Sequence, residues 1–356
     1  MSRMGKWLLI FGILAIVSAI AFGFSVAAFG VTNGDYGISI MGIDLPVIDG
    51  LKIKIGGNSM GKAEILFRNN GTNYTYEFEK DKEYSTDFDA AGLSDVKLGL
   101  ASCKADVVCS DTDRIRIVYK TGSKPVNFTA ELKDGVLEIN ENITISLFSF
   151  GSYKNSELKV EIPSELYNSF GIDLASGSLT SDNLMCDSFD GNLASGSFDL
   201  KMHADRIKLN VASGKASVSN ITDESADDID INVASGSVEL NGFGADDTKA
   251  ALASGNVTLN GISGRVNGEL MSGTLTLVYS EWNDDLSIKL ASGKADVTLP
   301  AGSGANVEYK HLSGKTDVSL DGSSVTLTKT SHADVGGENK QRVDIETASG
   351  TVRLHN

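Results

Sequence analysis

A Ser-Gly corner recurs nine times, at Gly177, Gly196, Gly214, Gly236, Gly255, Gly273, Gly293, Gly314 and Gly350, and lysine follows in Ser-Gly-Lys triplets at 213–215, 292–294 and 313–315. Serine beside lysine suggests a nucleophile or a phosphate cradle. A nucleophile, however, is needed once and next to a base, and no triplet belongs to the GxxxxGK[ST] arrangement that wraps a phosphate. A serine repeated nine times reads instead as a hydrogen-bonded ladder along a corner. The four histidines, His203, His311, His332 and His355, show neither HExxH nor paired-ligand spacing, so structural or surface roles are expected and neither a metal nor a cofactor is. Cys103, Cys109 and Cys186 are too few, and odd in number, for a disulfide framework, and no CxxC is present. They read as small buried hydrophobes.

The aspartates are more suggestive. Asp205, Asp227, Asp246 and Asp284 each stand nine residues before a corner glycine, and Asp228, Asp247 and Asp285 stand eight before one. Repetition at one position predicts an acidic ridge, partly interrupted by Arg206 and Arg265. Unit charges stacked at strand spacing repel by about 1 kcal/mol per neighbour in water. Either the turn favours aspartate for local hydrogen bonds, or the ridge meets calcium or a cationic peptide. The calcium β-roll motif GGxGxDxUx is absent.

Spacing identifies what must hold these residues. Residues 233–242 read VASGSVELNG and residues 252–261 read LASGNVTLNG, and successive corner glycines differ by 19, 18, 22, 19, 18, 20, 21 and 36 positions. Such a period marks a structural repeat. Counting from the glycine, apolar residues fall at −7, −5 and −3, as in Ile207, Leu209, Val211 or Leu286, Ile288, Leu290, and again at +2 and +4, as in Val238 and Leu240. Alternation of period two is a strand with one buried face. The inward phase slips by one residue between −3 and +2, so a bulge or corner lies between, where glycine can take positive φ.

These observations predict an all-β chain: a parallel β-solenoid, or β-helix, of ~19-residue coils, preceded by one N-terminal transmembrane helix. Ala101-Ser102-Cys103 fits the rule with cysteine in the glycine slot. Ile115, Ile117 and Tyr119 before Gly122, and Val325 and Leu327 before His332, read as further copies, with His311 and His332 on successive rungs in different columns. Twelve or thirteen coils at strand spacing would make a rod of roughly 60 Å. Strands are expected at 136–139 and 157–163, separated by an irregular insertion. Segments AEILF and YTYEFE could cap the first end, and the C-terminal end is expected to be thinly capped.

From Trp7 to Val31 the chain carries no charge for 25 residues, enough to cross a membrane. Arg3 and Lys6 precede that run and the next basic residue is Lys52, which places the body outside the cytoplasm. The segment is long for a signal peptide, although Ser25-Val26-Ala27 could be cleaved, which would make the body secreted. The expected organisation is a cytoplasmic tip and anchor at 1–31, a linker at 32–50, and an adhesin-like solenoid at 51–356, irregular over 51–165 and regular over 166–356. The whole chain has a net charge of −16; without Arg3 and Lys6, 29 bases against 47 acids leave −18. That sign disfavours nucleic acid and favours cationic partners.

The corner phrase, the strand ELKVEIP at 157–163 and the succession of ASG coils together resemble the bacterial putative-adhesin family of β-strand repeat proteins, over roughly residues 50–356. The resemblance implies a surface or envelope protein of unknown molecular function, some members being associated with envelope stress and cationic antimicrobial peptides, and it supplies no catalytic residues. The expected function is therefore non-enzymatic: a membrane-anchored acidic rod that binds an extracytoplasmic protein, a cationic peptide or a cell-wall partner. A carbohydrate-active β-helix enzyme is the alternative from another class; it would need a non-repeating carboxylate cluster and aromatic platforms, and outside the anchor the only tryptophan is Trp282. Self-association through exposed end coils is a third reading.

Overall fold

The computed structural model describes residues 63–143, apart from Asn70 and Lys124, and residues 155–356, together with two short strands, Ile38–Ile40 and Ile43–Leu45, that pair antiparallel. That hairpin falls within the stretch expected as a linker. The apolar run 7–31 lies outside the described residues; among those described, no helix is long and apolar enough to cross a membrane.

The alternating segments form parallel ladders, each coil lying on the next. Residues 206–211 pair in register with 228–233, 226–233 with 245–252, 247–252 with 265–270, and 266–270 with 286–290. Beyond the corner, 215–219, 237–241, 256–260, 274–278 and 294–298 stack in the same way. The columns expected to face inward do so: Ile207, Leu209, Val211, Ile231, Leu240, Leu259, Ile288 and Val297 are all buried. Burying each such side chain stabilises the fold by about 1.5–3 kcal/mol, and in-register stacking makes every coil supply it to both neighbours.

Spatial order departs from chain order at both ends. The last strand, Asn339–His355, is inserted between the coil at 286–298 and the strands Ser303–His311 and Lys315–Leu320, parallel to all of them. The 36-residue gap between Gly314 and Gly350 therefore hides no further parallel coil. Ser323–Leu327 and Ser331–Gly336 run antiparallel to Lys315–Leu320 and Ser303–His311, so Val325 faces Val318 and His332 faces Glu308. The expectation of another copy ending at His332 fails because alternation buries one face of a strand whichever way it runs. Far from being a thinly covered end, the C-terminal coil has both ladders filled. The antiparallel strands, with exposed polar side chains, lie on the outer side instead, blunting the end of the stack.

The N-terminal end repeats this logic. Asp95–Ser110 is the first parallel coil, with Val96, Leu98, Ala105 and Val107 buried as expected, and it lies beneath residues 169–182. Its other side is covered by Val136–Ile143 and Ser156–Pro163, which share one further coil; the insertion expected between them lies outside the described residues. Beyond them the strands turn antiparallel: Arg114–Lys120 against Ser156–Pro163, and Val126–Lys133 against Val136–Ile143. Ile115, Ile117 and Tyr119 are buried, but their strand is reversed, so Gly122 is no corner. The hairpin Glu64–Asn69 and Thr72–Glu77 joins this end through Val126–Lys133, as a cap should. Ten corner residues stack, fewer than the sequence suggested, because both 114–120 and 323–336 are caps rather than coils.

Candidate binding surfaces

Along the rod the corners stack in the order Cys103, Gly177, Gly196, Gly214, Gly236, Gly255, Gly273, Gly293, Gly350 and Gly314. A β-carbon built on Gly177 would sit 2.0 Å from the Cys103 carbonyl oxygen, and one on Gly196 would sit 2.2 Å from that of Gly177. Gly177 has φ of 121° and Gly196 of 116°, conformations that side chains rarely adopt. Both reasons for glycine operate at these two positions. The hydrogen-bond ladder at the corner belongs to the backbone: the Ser235 amide donates to Ala212 O at 2.9 Å, Ser254 to Ala234 at 2.8 Å, and Ser313 to Ala348 at 2.8 Å. The serine side chains expected to form it stand exposed on the rod's outside.

The aspartate ridge is brought together in space and is threaded with arginine. At position −8 the rungs read Arg206, Asp228, Asp247, Arg265, Asp285 and Arg342. Arg265 reaches Asp247 at 3.1 Å and Asp284 at 3.6 Å, and the Arg342 amide donates to Asp285 at 3.2 Å. The Asp285 amide donates to the Asp284 carboxylate at 2.7 Å, the local bonding expected of a turn aspartate. The densest acidic stretch is thus two rungs: Asp227, Asp228, Asp246 and Asp247, with Asp205 one rung away beside His203 at 3.7 Å.

Position −4 holds a ladder that sequence reading missed. Asn192 donates to Asp173 at 2.8 Å, Asn210 to Asn192 at 2.8 Å, and Asn232 to Asn210 at 3.1 Å. Farther along, the same column becomes Glu269, Lys289, Glu346 and Lys310, with Lys289 and Glu269 2.9 Å apart and Lys310 and Glu346 3.6 Å apart. Beside these charges runs a groove of about 1060 Å³ floored by Ala251, Met271, Ala291 and Ala348, with Leu312 at its far end. Leu312 is 86% exposed, the most exposed of the large apolar side chains described.

Residues 96–355 match the family described as Toastrack DUF4097, well over half of the chain. The chain belongs to the Toastrack family. No curated protein matches it. Among solved structures, the Toastrack domain is similar to a putative adhesin from Parabacteroides distasonis at 13% identity, covering 80% of this chain and 99% of that one, with a TM-score of 0.42. A putative adhesin from Parabacteroides merdae matches at 12% identity over 81% and 99%, TM-score 0.39. One from Bacteroides fragilis matches at 12% identity over 77% and 98%, TM-score 0.36. The antiparallel strands at 64–89 lie outside the matched span.

The most chemically distinctive group in the Toastrack domain is sealed inside it. Glu141, 1% exposed, accepts from the Ser102 amide at 2.8 Å, from Tyr119 Oη at 2.7 Å and from Ser156 Oγ. It occupies the place where a further corner would receive the Ser102 amide, so a carboxylate terminates the backbone ladder. Burial raises the Tyr119 phenol far above its ordinary value, with the Glu141 charge adding to the effect, so it stays a neutral donor. Trp282 is also buried, its Nε1 donating to Gly304 O at 2.8 Å, and offers no platform to a sugar.

All three cysteines are free and buried. Burial pushes the Cys109 and Cys186 thiols up to about 12, and raises Cys103 well above its usual value. Thiolate is the reactive form, so a maleimide at pH 7.5 should label none of them in the folded chain and all three after denaturation. Mass spectrometry distinguishes the two cases, and fast labelling of the folded chain would contradict the burial.

Acid stability follows from three other groups. Hydrogen bonds from Ser169 and Ser94 hold Asp95 below the usual carboxylate range. Burial alone would raise Asp296, but Lys294 and His355, each 3.0 Å away, hold it below. Hydrogen bonding from Lys315, and then from Thr326, lowers Asp317. A depressed folded pKa contributes stability above the unfolded value, about 4, that is lost as pH falls through the folded one. Burial raises Asp190, whose contribution has the opposite sign. The melting temperature should therefore fall on acidification below about pH 4, and Asp296→Asn should flatten that decline; an unchanged slope in the variant would remove Asp296 from the account.

Proposed function

We propose that this chain is a non-enzymatic, membrane-anchored binding scaffold that presents its β-rod outside the cytoplasm to a cationic partner. The observation that carries the reading is the distribution of polar groups. Exposed positions such as the corner serines and the aspartates nine residues before the corner repeat from rung to rung, whereas the cluster of carboxylate, phenol and hydroxyl around Glu141 is closed off in the core. Repeated exposed columns suit binding to an extended or multivalent partner; catalysis calls for a single accessible constellation. The anchor at residues 7–31 and the net charge of −16 support the location and the sign of the partner. Adhesion, the role in the names of the three solved proteins above, is one form of such binding.

The contact surface is the aspartate pair of rungs, Asp227, Asp228, Asp246 and Asp247, the densest acidic stretch of the ridge, flanked by Arg206 on one side and by Arg265, which reaches Asp247, on the other. The test titrates the full chain in detergent with a cationic peptide at low and high salt. Affinity should fall steeply with salt, and Asp227→Asn with Asp228→Asn should weaken it at low salt. Binding that ignores salt would remove the electrostatic basis. Release of reducing ends from cell-wall glycans by the purified chain would overturn the non-enzymatic reading in favour of a carbohydrate-active enzyme.

A further inference from the structure

The charged column beside the groove reads Glu269, Lys289, Glu346, Lys310 in spatial order, because the C-terminal coil is tucked between the coils of Gly293 and Gly314. The signs alternate, and the pattern is its own complement when reversed. We propose that this face binds a second copy of the same chain, with the two rods antiparallel and related by a two-fold axis lying between the rungs of Lys289 and Glu346. Such an axis maps the column onto itself in reverse, as a closed isologous contact requires. Glu269 then meets the partner copy's Lys310, and Lys289 the partner copy's Glu346, with each pairing made twice.

The same operation can be checked on neighbouring columns, which it was not chosen to satisfy. At position −2 the order is Met271, Ala291, Ala348, Leu312, so reversal seats exposed Leu312 against the partner copy's Met271 and places alanine opposite alanine at the centre. A projecting side chain thus enters the groove at the end where the floor is apolar. At position −8, Asp285 meets the partner copy's Arg342. At position −6, Ser287 faces the partner copy's Asp344 and Asn267 its Glu308. No like charges oppose one another across these four rungs. In chain order, with 314 before 350, the column would read Glu, Lys, Lys, Glu and would repel itself on reversal. The complementarity exists only because of the inserted coil.

The experiment uses the full chain in detergent. Met271 and Leu312 stand three rungs apart within one chain, about 14 Å, beyond the reach of a disulfide, and the native cysteines are buried. Mixing Leu312→Cys with Met271→Cys chains under mild oxidation should give a crosslinked dimer that neither variant gives alone. Sedimentation provides the second arm: Glu269→Lys should weaken self-association by about tenfold or more through like charges, and adding Lys310→Glu should restore it. Within one chain that double variant sets a new positive charge beside Lys289 and a new negative charge beside Glu346 and Glu308, so restoration can come only from contact between copies. Circular dichroism confirms that each variant is folded. A monomeric wild-type chain at all concentrations, crosslinking by either cysteine variant alone, or no rescue in the double variant would each overturn the proposal.

Discussion

Replacing Gly177 by alanine is expected to separate the first coil from the rest of the rod. The new β-carbon would lie 2.0 Å from the carbonyl oxygen of Cys103, a backbone atom held in a ladder on both sides, and the residue would keep a φ of 121°. Strained backbone costs about 1–3 kcal/mol and forced overpacking about 1–3 kcal/mol more, so a loss of about 2–6 kcal/mol is expected at that one interface. A solenoid is held by nearest-neighbour contacts, so the damage should be local. Hydrogen exchange should accelerate in Asp95–Ser110 and the strands beyond it while the coils around Gly255 stay protected. Gly350→Ala is the control. Its φ lies outside the left-handed region and its β-carbon would meet the Gly293 oxygen at 3.0 Å, a contact a small shift relieves. Equal effects at both positions would show that the conformation of Gly177 is not what glycine is needed for.

Glu141→Leu should also destabilise the N-terminal end, by about 2 kcal/mol or more, because the Tyr119 hydroxyl and the Ser102 amide lose their acceptor, at about 1–3 kcal/mol each if left unpaired, while Ser156 Oγ keeps only the Ser102 carbonyl. Glu141→Gln keeps one carbonyl oxygen and should cost less. The readout is a urea transition of the N-terminal part monitored by exchange of the Ser102 amide. In the leucine variant, Ser102 should lose protection before the coils from Gly196 onward. If Ser102 exchange in that variant matches the parent, the carboxylate does not close the ladder. Period-two alternation through Leu137 and Ile139 puts Glu141 on the inward face, a signal that went unread; what the sequence did not carry was its partners, since the amide it receives lies 39 residues away.

The corner phrase was legible because its cause is local. The phase slip between position −3 and position +2, the small residues, and the glycine all describe one bend, and the burial of Ile231, Leu240 and Ile288 bears that out. Cys103 in a glycine slot was legible for the same reason, since the columns around it kept their places. Strands 115–119 and 325–327 misled because hydrophobic alternation reports which face is buried and carries no information on direction. The asparagine ladder at Asn192, Asn210 and Asn232 was visible as a repeated letter at position −4 and went unread. The aspartates of neighbouring rungs align in register, as Asp228 does with Asp247. The threading of their column by Arg342 was hidden, because Arg342 reaches it only through the displaced last coil.

Composition and period alone determined that this chain winds into all-β coils of about nineteen residues with apolar columns inside, because burying one face of each strand is a property of short segments. Which coil lies on which, where the parallel stack stops, and therefore which charges stand side by side were decided only in three dimensions. A ladder accepts any strand of matching pattern at either open edge, so neighbours along the rod are chosen by which edges remain unpaired. That choice set the last seventeen residues of strand, Asn339–His355, into the interior of the stack.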